Sequence, residues 1–324
     1  MRAIVAEAAD QLTWQEVPDI EPGHGEVLIK VSTAGVNRAD LLQAAGNYPP
    51  PPGASQTLGL EVSGTIAAVG DGVPQWAIGQ RVCALLAGGG YAEFVAVPAG
   101  QVMPIPGDVA LAHAAGLPEV ACTVWSNLMM TAHLSAAQLL LIHGGASGIG
   151  THGIQVARAL GARVAVTAGA RNKLDLCTEL GAEITINYRD EDFVEQVRNE
   201  GGADVILDIM GAKYLDRNVD ALATGGRLVI IGMQGGVKAE LNIGKLLGKR
   251  AGVIATALRS RPVSGPGSKS EIVAEVVANV WPMIVDGRVR PIIGAEFPID
   301  QARAAHELLA SGEVSGKVVL RVGD

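Results

Sequence analysis

The feature that most restricts how this chain can fold is a glycine-rich turn set between an apolar run and a helix. The run LLLI (139–142) leads into Gly144-Gly145-Ala146-Ser147-Gly148-Ile149-Gly150-Thr151-His152-Gly153, and a helical segment (154–160) follows. Gly148, Gly150 and Gly153 satisfy G-x-G-x-x-G, and a second strand-like run (163–167) supplies the context that gives the pattern meaning. Such glycines permit a tight turn, let backbone amides approach a pyrophosphate, and let the helix pack closely on the sheet with its N-terminus toward the phosphates. A dinucleotide site formed by Gly145, Ser147, Gly148, Ile149, Gly150 and Gly153 is therefore expected.

The surrounding pattern agrees. Short apolar runs at 139–142, 163–167, 183–187, 204–208, 227–231 and 252–257 alternate with helical segments. That alternation predicts a Rossmann-like, doubly wound parallel sheet, whose strands are apolar throughout because both faces are covered. The first third instead reads as short strands (3–5, 26–33, 61–69, 91–98) broken by turns such as Gly70-Asp71-Gly72, which predicts a β-rich domain. Consecutive prolines in NYPPPPG (47–53) remove backbone donors and fix φ, so that stretch is expected to be a stiff surface loop. After a Pro/Gly/Ser-rich loop (261–270), a helix (301–310) and a strand (317–322) are expected to rejoin the first domain.

At 324 residues the chain suits two domains, since single cores rarely grow beyond about 250 residues. The boundaries expected are 1–118 with 258–324, and 119–257. No apolar stretch approaches the roughly 20 residues of a membrane helix, and the N-terminus lacks signal-peptide character, so a cytoplasmic protein with no membrane partner is expected. A net charge of −8 offers no diffuse basic surface for nucleic acid. Cys83, Cys122 and Cys177 are far apart and lack metal-type spacing, so reduced, buried thiols are expected.

The choice between NADPH and NADH rests on the end of the second strand of the sheet. An acid there would bond a ribose 2′-hydroxyl and repel a 2′-phosphate. The sequence instead reads Val166-Thr167-Ala168-Gly169-Ala170, with Arg171 and Lys173 next and Tyr188-Arg189 after the following strand, which favours NADPH.

Over nearly its whole length the chain resembles the quinone oxidoreductase branch of the medium-chain dehydrogenase/reductase superfamily. The segments that carry the likeness are AGVNRADLLQAAGNYPPPPG (34–53), LGLEVSGTIAAVG (58–70), GGYAEFVAVP (89–98), HGGASGIGTHGIQVARALGA (143–162) and INYRDEDF (186–193). The resemblance implies an α/β protein with a GroES-like catalytic domain, an inserted Rossmann domain, a cofactor in the cleft between them, and a homodimer. Zinc-dependent relatives carry Cys where this chain has Asn37 and His where it has Leu60. Glu61 and Glu119 lack companion ligands, so no metal is expected.

The same resemblance assigns the site. Asn37 would lie beside the nicotinamide, Tyr48 at the pocket mouth, and Thr123 near the nicotinamide ring, making these three the catalytic candidates. Gly232, Leu258 and Lys317 would join the cofactor-binding set, with Ala257 and Arg259 beside Leu258 around the nicotinamide half. Asp40 would orient the loop or pair with Arg38, while His143 and His152 would be structural. The activity implied is metal-free hydride transfer from NADPH to a small quinone or conjugated carbonyl. Alternatives are an NADPH-dependent reductase of 2-alkenals or enoyl-thioesters, and a nucleotide-responsive binding protein without turnover.

Overall fold

A computed structural model describes residues 1–9 and 11–323. They separate into two compact units: Met1–Cys122, Leu258–Asp286 and Pro291–Asp324 form unit 1, and Thr123–Ala257 with Gly287–Arg290 form unit 2. The boundary expected at residue 119 thus falls at 122/123, inside a single helix, and a four-residue piece near 290 counts with the second unit.

In chain order, unit 1 opens with β1 (Arg2–Ala8), β2 (Gln11–Glu16), β3 (Glu26–Val36), α1 (Arg38–Ala44), β4 (Glu61–Val69), β5 (Arg81–Leu85), β6 (Phe94–Pro98), β7 (Val102–Pro104) and α2 (Leu111–Ala114). Helix α3 (Pro118–Trp125) crosses into unit 2 and widens into a π-helical turn, Ser126–Thr131. Unit 2 then runs β8 (Leu139–His143), α4 (Gly148–Ala159), β9 (Arg163–Ala168), α5 (Arg171–Leu180), β10 (Ile184–Asn187), α6 (Phe193–Asn199), β11 (Ala203–Asp208), α7 (Leu215–Ala221), β12 (Leu222–Ile230), α8 (Ile243–Lys249) and β13 (Gly252–Ala255). The chain re-enters unit 1 through α9 (Lys269–Val285), β14 (Ile293–Pro298), α10 (Ala302–Ser311) and β15 (Lys317–Arg321).

Unit 2 is a six-stranded sheet in the order β10-β9-β8-β11-β12-β13, and the pairs are parallel. That is the doubly wound order in which the first strand sits at the point where the crossovers reverse direction. All five residues of β8 are buried, as covered parallel strands require. Helix α4 starts at Gly148, six residues earlier than its apolar pattern suggests, because Ser147 caps it by accepting a hydrogen bond from the Gly150 amide at 3.0 Å.

Unit 1 holds a seven-stranded sheet ordered β14-β15-β3-β4-β5-β7, with β6 also paired to β3. β15 runs antiparallel to β3, matching Val318 to Val36, so the late strand is built into the early sheet. Ile29, Val62, Val82, Tyr91, Val97, Val318 and Leu320 fill its core. Residues 261–268 form no helix or strand, and α9 begins only at Lys269, where Ser268 caps it. No helix among the described residues is long and apolar enough to cross a membrane.

Candidate active site

In unit 1, β3 ends at Val36, and Asn37 caps α1 by reciprocal contacts with Asp40. The Asp40 carboxylate accepts from the Asn37 amide N–H at 2.8 Å and from the Gly59 N–H at 3.0 Å, tying the start of α1 to the loop before β4. It turns to these backbone donors and to the Tyr91 hydroxyl (3.4 Å), which lies 3.1 Å from His306 Nε2. Asp40 is fully buried, and burial raises its carboxyl to about 6 against the pull of the two N–H donors.

The Asn37 side chain is fixed at both ends. Its Nδ2 donates to Glu61 Oε1 at 2.9 Å, and its Oδ1 accepts from Lys317 Nζ at 2.7 Å. An ammonium only donates and a carboxylate only accepts, so the two partners define which end of the amide is oxygen. Lys317 also donates to the Val36 carbonyl at 3.1 Å and pairs with Glu61 Oε1 at 2.6 Å, which uses all three of its N–H bonds. One N–H of the Asn37 amide remains for a ligand. Gly35 makes room for this arrangement, because a Cβ there would lie 2.6 Å from the Glu61 carboxyl carbon.

Glu119 enters the same cluster from α3, its backbone N–H donating to Glu61 Oε2 at 2.9 Å. Its carboxyl is raised to about 8, first by desolvation and then by the charges of Glu61 and Asp40, with Lys317 and Arg259 opposing. Arg259, 3% exposed, donates to the Ala87 carbonyl at 2.8 Å and to Gln43 Oε1 at 2.6 Å, and its guanidinium lies 5.3 Å from the centre of the Tyr48 ring. It pins the loop that carries Tyr48. Desolvation raises the Tyr48 phenol above its usual range. Leu258, the residue before Arg259, is buried.

Lys317, expected to approach a cofactor, is thus committed to Glu61 and Asn37. Glu61 and Glu119 join the cluster as residues that sequence reasoning does not assign to the site, beside Arg259, which the family resemblance puts near the nicotinamide half. The signal for Glu61 and Lys317 is a charge standing at the head of an apolar run, as in EVSGTIAAV and KVVLR, which indicates a buried pair. The cluster does not fit a metal: an ammonium already neutralises Glu61, and no group of three His, Cys, Asp or Glu among the described residues is arranged to hold one.

In unit 2 the glycines of the first turn do separate jobs. A Cβ on Gly150 would collide with the carbonyl oxygens of Gly144 and Gly145, so α4 could not start so close to the end of β8. A Cβ on Gly145 would sit 2.7 Å from Val166 Cβ, and one on Gly153 3.1 Å from Ile142 Cδ1. Ser147, Gly148 and Ile149 keep part of their surface exposed at the helix N-terminus, where free N–H groups suit an anion. At the end of β9 there is no acid. The Tyr188 hydroxyl lies against Gly169, so a side chain there would have to push the phenol aside, and Tyr188 is 47% exposed. Arg171 starts α5, its side chain 88% exposed and paired to Asp175 at 2.9 Å; Lys173 stands two positions further along the same turn. Gly232 follows β12, packed on the Ile209 backbone. The backbone carbonyl of Thr123, itself buried, receives the Asn127 amide at 2.7 Å. These features fit a dinucleotide carrying a 2′-phosphate.

His143 and His152 have no acid–base post. Both are buried and lowered to about 4 by desolvation. His143 bridges Thr167 (3.0 Å) and Asn218 (2.7 Å) and packs edge-on against Phe193 and Tyr214.

Two family models match: the alcohol dehydrogenase GroES-like domain over residues 23–107 and the zinc-binding dehydrogenase family over residues 148–276. The quinone oxidoreductase of Rattus norvegicus is 31% identical over 304 residues, covering 92% of this chain and 90% of the relative. The chain belongs to the quinone oxidoreductase family of the medium-chain dehydrogenase/reductase superfamily. Among solved structures, the quinone oxidoreductase of Thermus thermophilus, also determined with NADPH, is 30% identical with a TM-score of 0.84, covering 99% of this chain and 100% of that one. The family fold extends to the CurK enoyl reductase, at 26% identity and a TM-score of 0.87, covering 99% of each chain.

Proposed function

We propose that the protein is an NADPH-dependent quinone reductase that works without a metal. The observation that carries the cofactor choice is the end of β9, where Gly169 and the overlying Tyr188 stand in place of a carboxylate. Arg171, Lys173 and Tyr188 would receive the 2′-phosphate, and Gly145, Ser147, Gly148, Ile149, Gly150 and Gly153 the pyrophosphate, with Gly232, Leu258 and Thr123 toward the nicotinamide half. NADPH, when bound, supplies the hydride. A quinone accepts hydride readily, so the protein has mainly to orient it and stabilise the oxyanion that forms. Asn37 would do this with its unused N–H, held in place by Glu61 and Lys317, and Tyr48 would line the quinone.

The test follows NADPH oxidation with 1,4-benzoquinone, phenanthrenequinone, a 2-alkenal and crotonyl-CoA, then repeats the best acceptor with NADH. Quinone turnover preferring NADPH is expected. Turnover confined to the alkenal or thioester would replace the reading with ene-reduction, and a preference for NADH would remove the roles given to Arg171, Lys173 and Tyr188. Tight NADPH binding without turnover would favour a binding protein.

The same reading takes the protein as a cytoplasmic homodimer. Its three cysteines are buried free thiols, which suits a reducing compartment. Support for a dimer lies in unit 2, where β13 ends the sheet and Val237, Ile243 and Leu247 are each more than 60% exposed. Light scattering on the purified protein should give twice the chain mass, and Leu247→Glu should shift it toward the monomer; a monomeric wild type would end this part of the reading.

A further inference from the structure

Reducing a quinone with hydride delivers both electrons and one hydrogen, and leaves a ring oxygen as an anion that still needs a proton. Three carboxyl groups, Asp40, Glu61 and Glu119, cluster in unit 1 with Lys317 and Arg259 as cations. Their hydrogen-bond partners set the three carboxyls apart. Glu61 Oε1 faces Lys317 and Asn37, and its Oε2 faces the Glu119 N–H. Asp40 Oδ1 faces the Gly59 N–H and its Oδ2 the Asn37 N–H. All four oxygens therefore already accept from N–H donors, which favours the carboxylate at both residues. The Glu119 carboxyl meets no donor among the described residues, and part of its surface is open to solvent.

We propose that Glu119 is the proton donor of the reaction: its O–H bond breaks, the proton passes to the anionic oxygen of the reduced quinone, and the electron pair stays on the carboxylate. Solvent then restores the proton, so each turnover consumes one hydride and one proton. This rests on the quinone-reductase reading.

The groups that act on Glu119 pull in both directions. Desolvation, Glu61 and Asp40 favour the protonated form, whereas Lys317, Arg259 and the nearby Lys269 favour the carboxylate; Tyr48 and Cys122 are neutral in this range and take no side. The balance lies near 8, so the group is protonated at neutral pH yet close enough to titrate in each cycle. Tyr48, raised from an already high value, is the poorer acid.

The test has two readouts. In the protein without nucleotide, difference infrared spectroscopy should show a protonated-carboxyl band that disappears as pH rises through about 8, and Glu119→Gln should lack it. With NADPH and a quinone, wild-type kcat should fall through the same range. Glu119→Gln should lower kcat by about 10²-fold and flatten that limb while leaving NADPH affinity unchanged, and Glu119→Asp should recover part of both. Wild-type turnover with an undiminished, equally pH-dependent Glu119→Gln overturns the inference alone, as does a wild type without the infrared band. A wild type that reduces no quinone overturns the functional reading as well. If Glu119→Gln fails to fold, the wild-type band and pH limb still decide, since the absence of either is disqualifying.

Discussion

Asn37 shows how one residue can be positioned entirely by its neighbours' chemistry. Its amide would have no preferred orientation without Lys317, which only donates, and Glu61, which only accepts. That makes Lys317 the structural weak point of the cluster. Lys317→Met would leave Glu61, whose side chain has no exposed surface, as an uncompensated buried charge. Removing one partner of a buried pair costs about 3–5 kcal/mol, so urea denaturation should show a loss of that order, and a loss below about 1 kcal/mol would contradict the geometry. The residues of the glycine turn are legible in the sequence because motif and spacing carry them, whereas Asn37 is named by the family resemblance alone. Glu61 and Glu119 are not legible, since their meaning arises from contacts between segments as distant as residues 61 and 317, which no local pattern encodes.

At the scale of elements, the strand–turn–helix unit β8–α4 depends on backbone proximity. A methyl at position 150 would drive into the carbonyls of residues 144 and 145. Gly150→Ala should therefore displace the start of α4 and weaken NADPH binding by at least about ten-fold, or roughly 1.4 kcal/mol, measured by nicotinamide fluorescence; an unchanged Kd would show that the N-terminus of α4 does not hold the phosphates. The parallel strands are readable because uninterrupted apolar runs mark them. Strands β2, β5 and β7 escape because they are short or mixed in character: QLTWQE alternates only weakly, and VMP has three residues. The early start of α4 is hidden because glycine is a poor helix former, and the Ser147 cap outweighs that propensity.

For the molecule as a whole, the buried titratable groups divide between the units. In unit 2, His143 and His152 are lowered from 6.5 to about 4, so the folded state binds fewer protons than the unfolded one between those values. Their contribution is present above 6.5 and is lost as pH falls toward 4. In unit 1, Asp40 is raised from 3.8 to about 6 and Glu119 from 4.5 to about 8, so their contributions are present at low pH and are lost as pH rises through 6 and 8. His306, lowered to about 4, opposes them on the acid side. Thermal melts should accordingly show the greatest stability near about pH 6.5, with unit 2 weakened as pH falls below that value and unit 1 weakened as pH rises from there to about 8; a melting temperature that climbs between about pH 7 and 8 would refute this. The pairing of β15 with β3 adds a constraint of another kind. Lys317 and Val36 are 281 residues apart. At about 5–20 residues per second of synthesis, β3 and the charge on Glu61 wait roughly 15–55 seconds for their partner, while all six strands of unit 2 exist once Ala255 has been made. Assembly on the ribosome is thereby ordered against the sequence. The middle of the chain closes first, and a chain stalled at residue 290 should resist protease in unit 2 while its first 122 residues remain cleavable.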